Sequence, residues 1–218
     1  MMKISIVTIC YNSQNTIEAT ILSILKQKDE GVEFIIVDGG SDDSTLEIIE
    51  QYKSYIDLVI SEKDRGISDA FNKGINAATG VMIGFINSDD ILWDGVIKKI
   101  RDSYENGVDI IYGDTMINDT LNQSCYVRKA LPLTNMEVTL PFVHQSSFVS
   151  KEAYMKWGIY SLDYKICMDY DCFAAMYKNG AKFKYIPEIL SEFTYGGTSY
   201  SYPWKTMIEN IKVSFKHG

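Results

Sequence analysis

Several large function classes are disfavoured by what this chain lacks. Its 218 residues carry 21 Lys and Arg against 29 Asp and Glu, a formal net charge of -8. A nucleic-acid polymer needs a basic footprint, and this balance supplies none. A small phosphate ligand stays compatible with it if a bound cation shares the neutralisation. There are only two histidines, His144 and His217. The four cysteines, Cys10, Cys125, Cys167 and Cys172, form no C-x-x-C pair or other zinc spacing. Reduced thiols in a cytoplasmic compartment are therefore expected. No apolar run reaches the roughly 18 residues that span a bilayer. The N-terminal run is too short for a secretion signal and has no small-residue cleavage site.

What is present is alternation. Apolar runs at residues 4–10, 34–37, 58–60 and 81–86 read as strands. Helical patterns fall between them. Asn15 followed by Glu18 is an N-cap signal, Ser44 with Glu47 a capping box, and Gly80 an expected stop for a helix over 68–78; a further helix begins at Val96. Such alternation implies right-handed βαβ units and an α/β fold with an open, mostly parallel, Rossmann-like sheet. The loops after Cys10, Val37, Ile60 and Ile86 then emerge at one sheet edge, so Asn12, Asp38, Asp64 and Asp89 should converge there.

Beyond Gly107 the pattern changes. Residues 110–112 and 123–128 predict an antiparallel pair turning at Asn118-Asp119, with a further strand over 142–149. Helices are expected at 151–157 and 168–178, a strand at 183–186 before Pro187, and an amphipathic helix at 204–215. No linker or repeat interrupts the chain, so residues 1–218 read as one domain with two functional halves, 1–106 and 107–218.

The richest segment is Val81-Met82-Ile83-Gly84-Phe85-Ile86-Asn87-Ser88-Asp89-Asp90. A run apolar on both faces ends in two adjacent carboxylates, where α/β proteins collect ligands. Two like charges side by side need a cation, hydrogen bonds or solvation to offset them. An acidic turn capping the next helix explains the pair equally well at this stage.

Eight pieces, in order, bear on the choice: Thr8-Ile9-Cys10-Tyr11-Asn12; Val37-Asp38-Gly39-Gly40-Ser41-Asp42-Asp43-Ser44-Thr45; the stretch from Glu62 through Asp64, Arg65 and Asn72 to Gly74; Ala78-Thr79-Gly80; Asn87-Ser88-Asp89-Asp90; His144-Gln145-Ser146-Ser147-Phe148; Met168-Asp169-Tyr170-Asp171; and Gly196-Gly197-Thr198-Ser199. Together they resemble the family 2 glycosyltransferases of the GT-A fold, particularly bacterial enzymes of surface-polysaccharide assembly. The resemblance implies a nucleotide-diphosphate sugar donor over the first half, a glycan or lipid-linked acceptor over the second, and transfer with inversion. Uridine is the nucleoside implied by family habit, with guanosine and thymidine open.

The same resemblance distributes roles. Asp89 becomes the ligand of Mn2+ or Mg2+, supported by Asp90 and by Asn87, which stands where the family commonly has a first aspartate. Thr8, Tyr11, Asn12, Asp38, Asp64, Arg65 and Ser88 become contacts of the nucleotide sugar. Asp169 matches the general base and Asp171 the second carboxylate, with Met168 replacing a glutamate. His144, Gly197 and Ser199 fall to the acceptor or the diphosphate, the glycines suggesting a loop that closes over donor. Each residue also has a plainer reading: Asp38 as an Asp-Gly turn, Arg65 as a surface ion pair, Asp169 and Asp171 as helix N-terminal charge, His144 as a hydrogen-bonded structural residue. The helix at 204–215 either rests on a membrane surface or packs on the domain. Two other functions stay open: a nucleotidyltransferase, against which the glycine-free loop 12–16 counts, and a sugar-nucleotide-binding protein without activity.

Overall fold

β1 (Ile4–Cys10) is buried along its whole length, as expected of a strand flanked on both sides and covered on both faces. Its alternating side chains serve two cores: Ile4 and Ile6 face one layer, Val7 and Ile9 the other. The computed structural model describes residues 1–195 and 203–217. After β1 come α1 (Ile17–Leu25), β2 (Val32–Asp38), α2 (Thr45–Gln51), β3 (Leu58–Ser61), α3 (Ile67–Ala77) and β4 (Met82–Phe85). β1 pairs in parallel with β2 and β4, and β2 with β3, as the βαβ alternation predicts.

The second half adds β5 (Ile91–Leu92), α4 (Val96–Ser103), β6 (Ile110–Asp119), β7 (Ser124–Arg128), β8 (Ser147–Ser150), α5 (Lys151–Trp157), α6 (Met168–Lys178), β9 (Phe183–Tyr195) and α7 (Pro203–His217). The sheet runs β3-β2-β1-β4-β8-β6-β9-β5, with β7 on β6. β8 is antiparallel to β4 and β6, and β5 antiparallel to β9, so an antiparallel extension continues the parallel half. α1 and α4 contribute to the Phe34 layer; α3, α5 and α6 contribute to the Phe71–Phe85 layer.

Several local expectations shift. α1 begins at Ile17 rather than after Asn15, because the Ser13 carbonyl accepts from both Thr16 N and Ile17 N. Ser44 precedes α2 but makes no cap; the Asp43 carboxylate accepts from Thr45 N at 2.9 Å, and the Gln14 amide oxygen takes Ser44 N. Gly80 does not cap α3. It lies flat against β1, where a Cβ would stand 2.5 Å from Ser5 N, and its own N–H donates to Ser5 Oγ at 2.8 Å.

The β6–β7 turn falls after Asp119, whose carboxylate accepts from Leu121 N and Asn122 N, with Gln123 at φ 49°. The strand expected over 142–149 is cut short by a tight turn at His144–Ser146. β9 does not stop at Pro187. The β6–β9 register jumps from Tyr112↔Tyr185 to Asp114↔Ile189, so the residue without an N–H sits in a bulge.

Candidate active site

The strand-end loops do converge. A cavity of about 1580 Å³ opens at the carboxyl edge of β1, β2, β3 and β4. Tyr11, Asn12, Gly39, Asp64, Asn87, Ser88 and Asp89 line one side; Phe193, Tyr195, Thr206, Met207, Asn210 and Ile211 line the other. One cavity is thus shared by the polar N-terminal loops and by an apolar wall from β9 and α7.

On the polar side the loops hold one another. Asn12, at φ 50°, exchanges two hydrogen bonds with Asp42, and its N–H donates to Ser41 Oγ at 2.8 Å. Ser13 Oγ and Ser88 Oγ lie 2.7 Å apart, joining the first loop to the fourth. Asp64 Oδ1 accepts from Gly66 N at 2.9 Å. Its Oδ2 lies 2.5 Å from where a Gly39 Cβ would be, so that glycine lets two loops touch. Tyr11, 63% exposed, offers a free ring face at the cavity wall.

Some expected contacts are turned elsewhere. Asp38 is fully buried and does not line the cavity; its oxygens accept from Gly40 N, Ser41 N, Ser41 Oγ and Ser61 Oγ. It shapes the loop from beneath. Arg65 is held by Asp69 through its backbone N–H and guanidinium, at 3.1 and 2.8 Å. Thr8 is likewise fully buried, below the cavity rather than on its wall.

The segment after β4 carries the electrostatic tension. Loss of hydration raises the pKa of Asp89, which lines the cavity, above the usual carboxylate value. Asp90 is fully buried, and burial followed by the neighbouring Asp89 charge pushes its carboxyl well up. Asp90 Oδ1 accepts from Thr194 N at 3.0 Å, tying this loop to the end of β9. Asp90 Oδ2, Asn87 Oδ1 and Thr8 Oγ1 are buried without a hydrogen-bond partner among the described residues.

Among the described residues no group of three His, Cys, Asp or Glu side chains could hold a metal ion. The donors that are present, a cavity-facing carboxylate and an unpartnered amide oxygen, suit a hard divalent cation that takes its remaining ligands from water and phosphate. They do not make a closed protein cage.

On the other side, Asp169 opens α6 and is partly exposed, though it does not line the cavity. Desolvation raises its carboxyl to about 6, against the opposing pull of the Tyr170 N–H. Asp171 is buried and bound by Lys216 Nζ at 2.7 Å and His217 Nε2 at 2.8 Å from α7. The two aspartates, two residues apart on α6, thus point to different surroundings. His144 is buried among Phe71, Phe85 and Phe173, with Nε2 2.7 Å from Tyr160 Oη, and burial drops its pKa to about 3. It is a neutral core residue away from the cavity lining. Gly197 and Ser199 lie outside the described residues.

Gln145, Phe193, Tyr195 and the α7 side chains were not singled out as site residues in the sequence. Gln145 lies inside the His144 motif, but the α7 pattern shows only an amphipathic helix and not where it docks.

The profile of Glycosyl transferase family 2 matches residues 5–179. A PGL/p-HBAD biosynthesis glycosyltransferase of Mycobacterium tuberculosis is 25% identical over 223 residues, 98% of this chain and 86% of the relative. The Escherichia coli UDP-Glc:alpha-D-GlcNAc-diphosphoundecaprenol beta-1,3-glucosyltransferase WfgD is 33% identical over 113 residues, 51% of this chain and 45% of its own length. Staphylococcus aureus TarS 1-349 in complex with UDP superposes with a TM-score of 0.75 at 19% identity, over 98% of this chain and 64% of that one. That likeness establishes the GT-A type of fold.

Proposed function

Because the chain belongs to glycosyl transferase family 2, we propose that it moves a sugar from a nucleotide-diphosphate donor, a UDP-sugar, to a hydroxyl of a glycan or lipid-linked acceptor in polysaccharide biosynthesis, with inversion at the anomeric carbon. The observation that carries this reading is the single cavity in which the loops after β1, β2, β3 and β4 face α7 across Asp89. The UDP held by TarS and the lipid-diphosphate acceptor in the name of WfgD support the donor and acceptor classes.

In this reading the nucleoside lies over Tyr11, Asn12 and Asp64, and Ser88 and Asp89 meet the diphosphate. Asp38 and Thr8 support those loops from below. Asp89, with the Asn87 amide oxygen beside it and Asp90 behind, would hold Mn2+ or Mg2+, which supplies positive charge against the leaving diphosphate. Asp169 takes the proton of the acceptor hydroxyl as its oxygen attacks the anomeric carbon; the bond to the diphosphate breaks and its electron pair leaves with the nucleotide. A carboxyl near 6 is ionised at neutral pH yet more basic than an ordinary aspartate. Asp171 serves as an anchor for α7 rather than as a second base. The exposed side chains Trp204, Ile208 and Phe215 of α7 support a reading in which the protein rests on the inner face of the membrane, beside a lipid-linked acceptor.

A thermal-shift panel of UDP-, GDP- and dTDP-sugars with and without Mn2+ tests the donor. One donor should raise Tm, and more so with Mn2+. Transfer is then followed with a lipid-diphosphate-linked N-acetylglucosamine, where Asp169→Asn should bind donor and fail to transfer. A panel in which no nucleotide sugar shifts Tm rejects the proposal.

A further inference from the structure

α7 touches two things at once. Its Thr206, Met207, Asn210 and Ile211 face the cavity, while Glu209, next to Asn210, turns toward the start of α6. There one carboxylate gathers three successive backbone amides: Lys165 N at 3.1 Å and Ile166 N at 2.8 Å with Cys167 N at 3.0 Å. Cys167 is the N-cap residue of α6, and its thiol offers that end no capping oxygen. Although burial works to raise it, these amides of Cys167, Ile166 and Lys165 hold the Glu209 carboxyl below its usual range. An ionised carboxylate accepting three amides is a strong, directional clamp. Two residues beyond the clamped stretch stands Asp169.

We propose that Glu209 is a positioning residue for Asp169, supplying from α7 the N-terminal anchor that α6 lacks. The sequence between Tyr164 and Met168 would otherwise be a loop with three orphan donors. Fixing it sets the orientation of the first α6 turn and so how far the Asp169 carboxylate is withdrawn from water. The same helix walls the cavity, so a ligand pressing on Met207 or Asn210 acts on the base through a rigid arm. Val213 buried against the domain and the Asp171 pairs with Lys216 and His217 hold the far end of that arm.

The surroundings of Asp169 make its titration a usable readout. Tyr160, Cys167 and Cys172 near it are all pushed up by burial and stay uncharged around pH 7. The nearby buried His144 is neutral. The charged neighbours are Asp171, which pairs with Lys216 and lies within hydrogen-bond distance of His217, and Glu209.

This inference rests on Asp169 as the base, and its test is independent of transfer. The Asp169 carboxyl is titrated by 13C NMR in wild type, Glu209→Ala and Glu209→Gln, with amide exchange at residues 165–167. In Glu209→Ala the three amides should lose protection and the Asp169 midpoint should fall by about one unit or more as water reaches it. Glu209→Gln, which keeps an acceptor oxygen, should recover part of both and covers the case in which Glu209→Ala does not fold. UDP binding by calorimetry should stay within about twofold of wild type. An unchanged Asp169 midpoint in a folded variant, or loss of UDP binding in step with it, overturns the positioning role. Normal transfer by Asp169→Asn instead overturns the base assignment and leaves the clamp measurements standing.

Discussion

Asn12, on the cavity wall, and Asp42 grip each other: Asn12 Nδ2 donates to Asp42 Oδ1 at 2.8 Å, and Asp42 N donates to Asn12 Oδ1 at 3.0 Å. The pair holds Asn12 at φ 50°, a conformation that asparagine tolerates better than most residues. Asn12→Ala loses both bonds and keeps the unfavourable φ, so it should cost about 1–2 kcal/mol in urea denaturation and weaken UDP binding. Asn12→Gly relieves the backbone but not the lost bonds, and should fall between. Wild-type stability in Asn12→Ala would show that the pair contributes nothing.

Asp89→Ala should leave the fold intact and abolish the Mn2+-dependent part of UDP binding. Calorimetry with and without Mn2+ reads this directly. A metal enhancement that survives the substitution removes Asp89 from the site.

Gly80→Ala should be among the most damaging single-methyl additions in the chain. The new Cβ would meet Ser5 Oγ at 2.7 Å, and also Ser5 N at 2.5 Å and the Ile4 carbonyl carbon at 2.9 Å, backbone that cannot rotate away. A loss of about 1–3 kcal/mol is expected from such overpacking, seen as a fall in Tm with donor affinity kept in the folded fraction. Tolerance of alanine there would mean that β1 and residue 80 approach less closely.

Acid stability should depend on two groups of opposite sign. His144 titrates near 3 in the fold against 6.5 unfolded, so the unfolded chain binds the extra proton and stability falls as pH drops below 6.5. Asp169 titrates near 6 against 3.8, so the folded chain binds the extra proton and stability is gained between pH 6 and 3.8. Removing the gain with Asp169→Asn should steepen the acid loss by up to about 1.4 kcal/mol per pH unit in that window. Urea midpoints at several pH values check it; parallel curves for variant and wild type would place the Asp169 pKa near its ordinary value.

α7 carries Trp204 at 76% and Phe215 at 86% exposure, near its two ends. If this face meets lipid, the double variant Trp204→Ser with Phe215→Ser should bind phosphatidylglycerol vesicles at least about tenfold more weakly. Equal flotation of variant and wild type argues that the face meets something other than lipid.

The parallel half was legible because its apolar runs and βαβ spacing leave one topology, and with it the meeting of Asn12, Asp64 and Asp89. Two details shift for one reason. Asp38 and Ser44 carry side chains suited to a ligand or a cap, and neighbours remote in sequence, such as Ser61 and Gln14, decide which group each amide or carboxylate meets. Arg65 takes the ion pair its sequence already offers, with Asp69 four residues on. Pro187 reads as a strand end only until the partner strand supplies a bulge. The cavity's apolar wall was hidden for the same reason: the α7 pattern records that a face is apolar, not which face of the protein it joins.

β5, Ile91–Leu92, pairs with Glu192 and Ser191 of β9, and Asp90 accepts from Thr194 N. Seen as a matter of synthesis, the Asn87–Asp90 turn leaves the ribosome early and must wait for a strand made about a hundred residues later before its geometry is set. Competence to hold a diphosphate is then among the last properties the chain acquires, well after β1, β2 and β4 can pair. A ribosome-stalled chain ending before Phe183 should show protease protection of the β1–β4 region without any added protection from UDP and Mn2+.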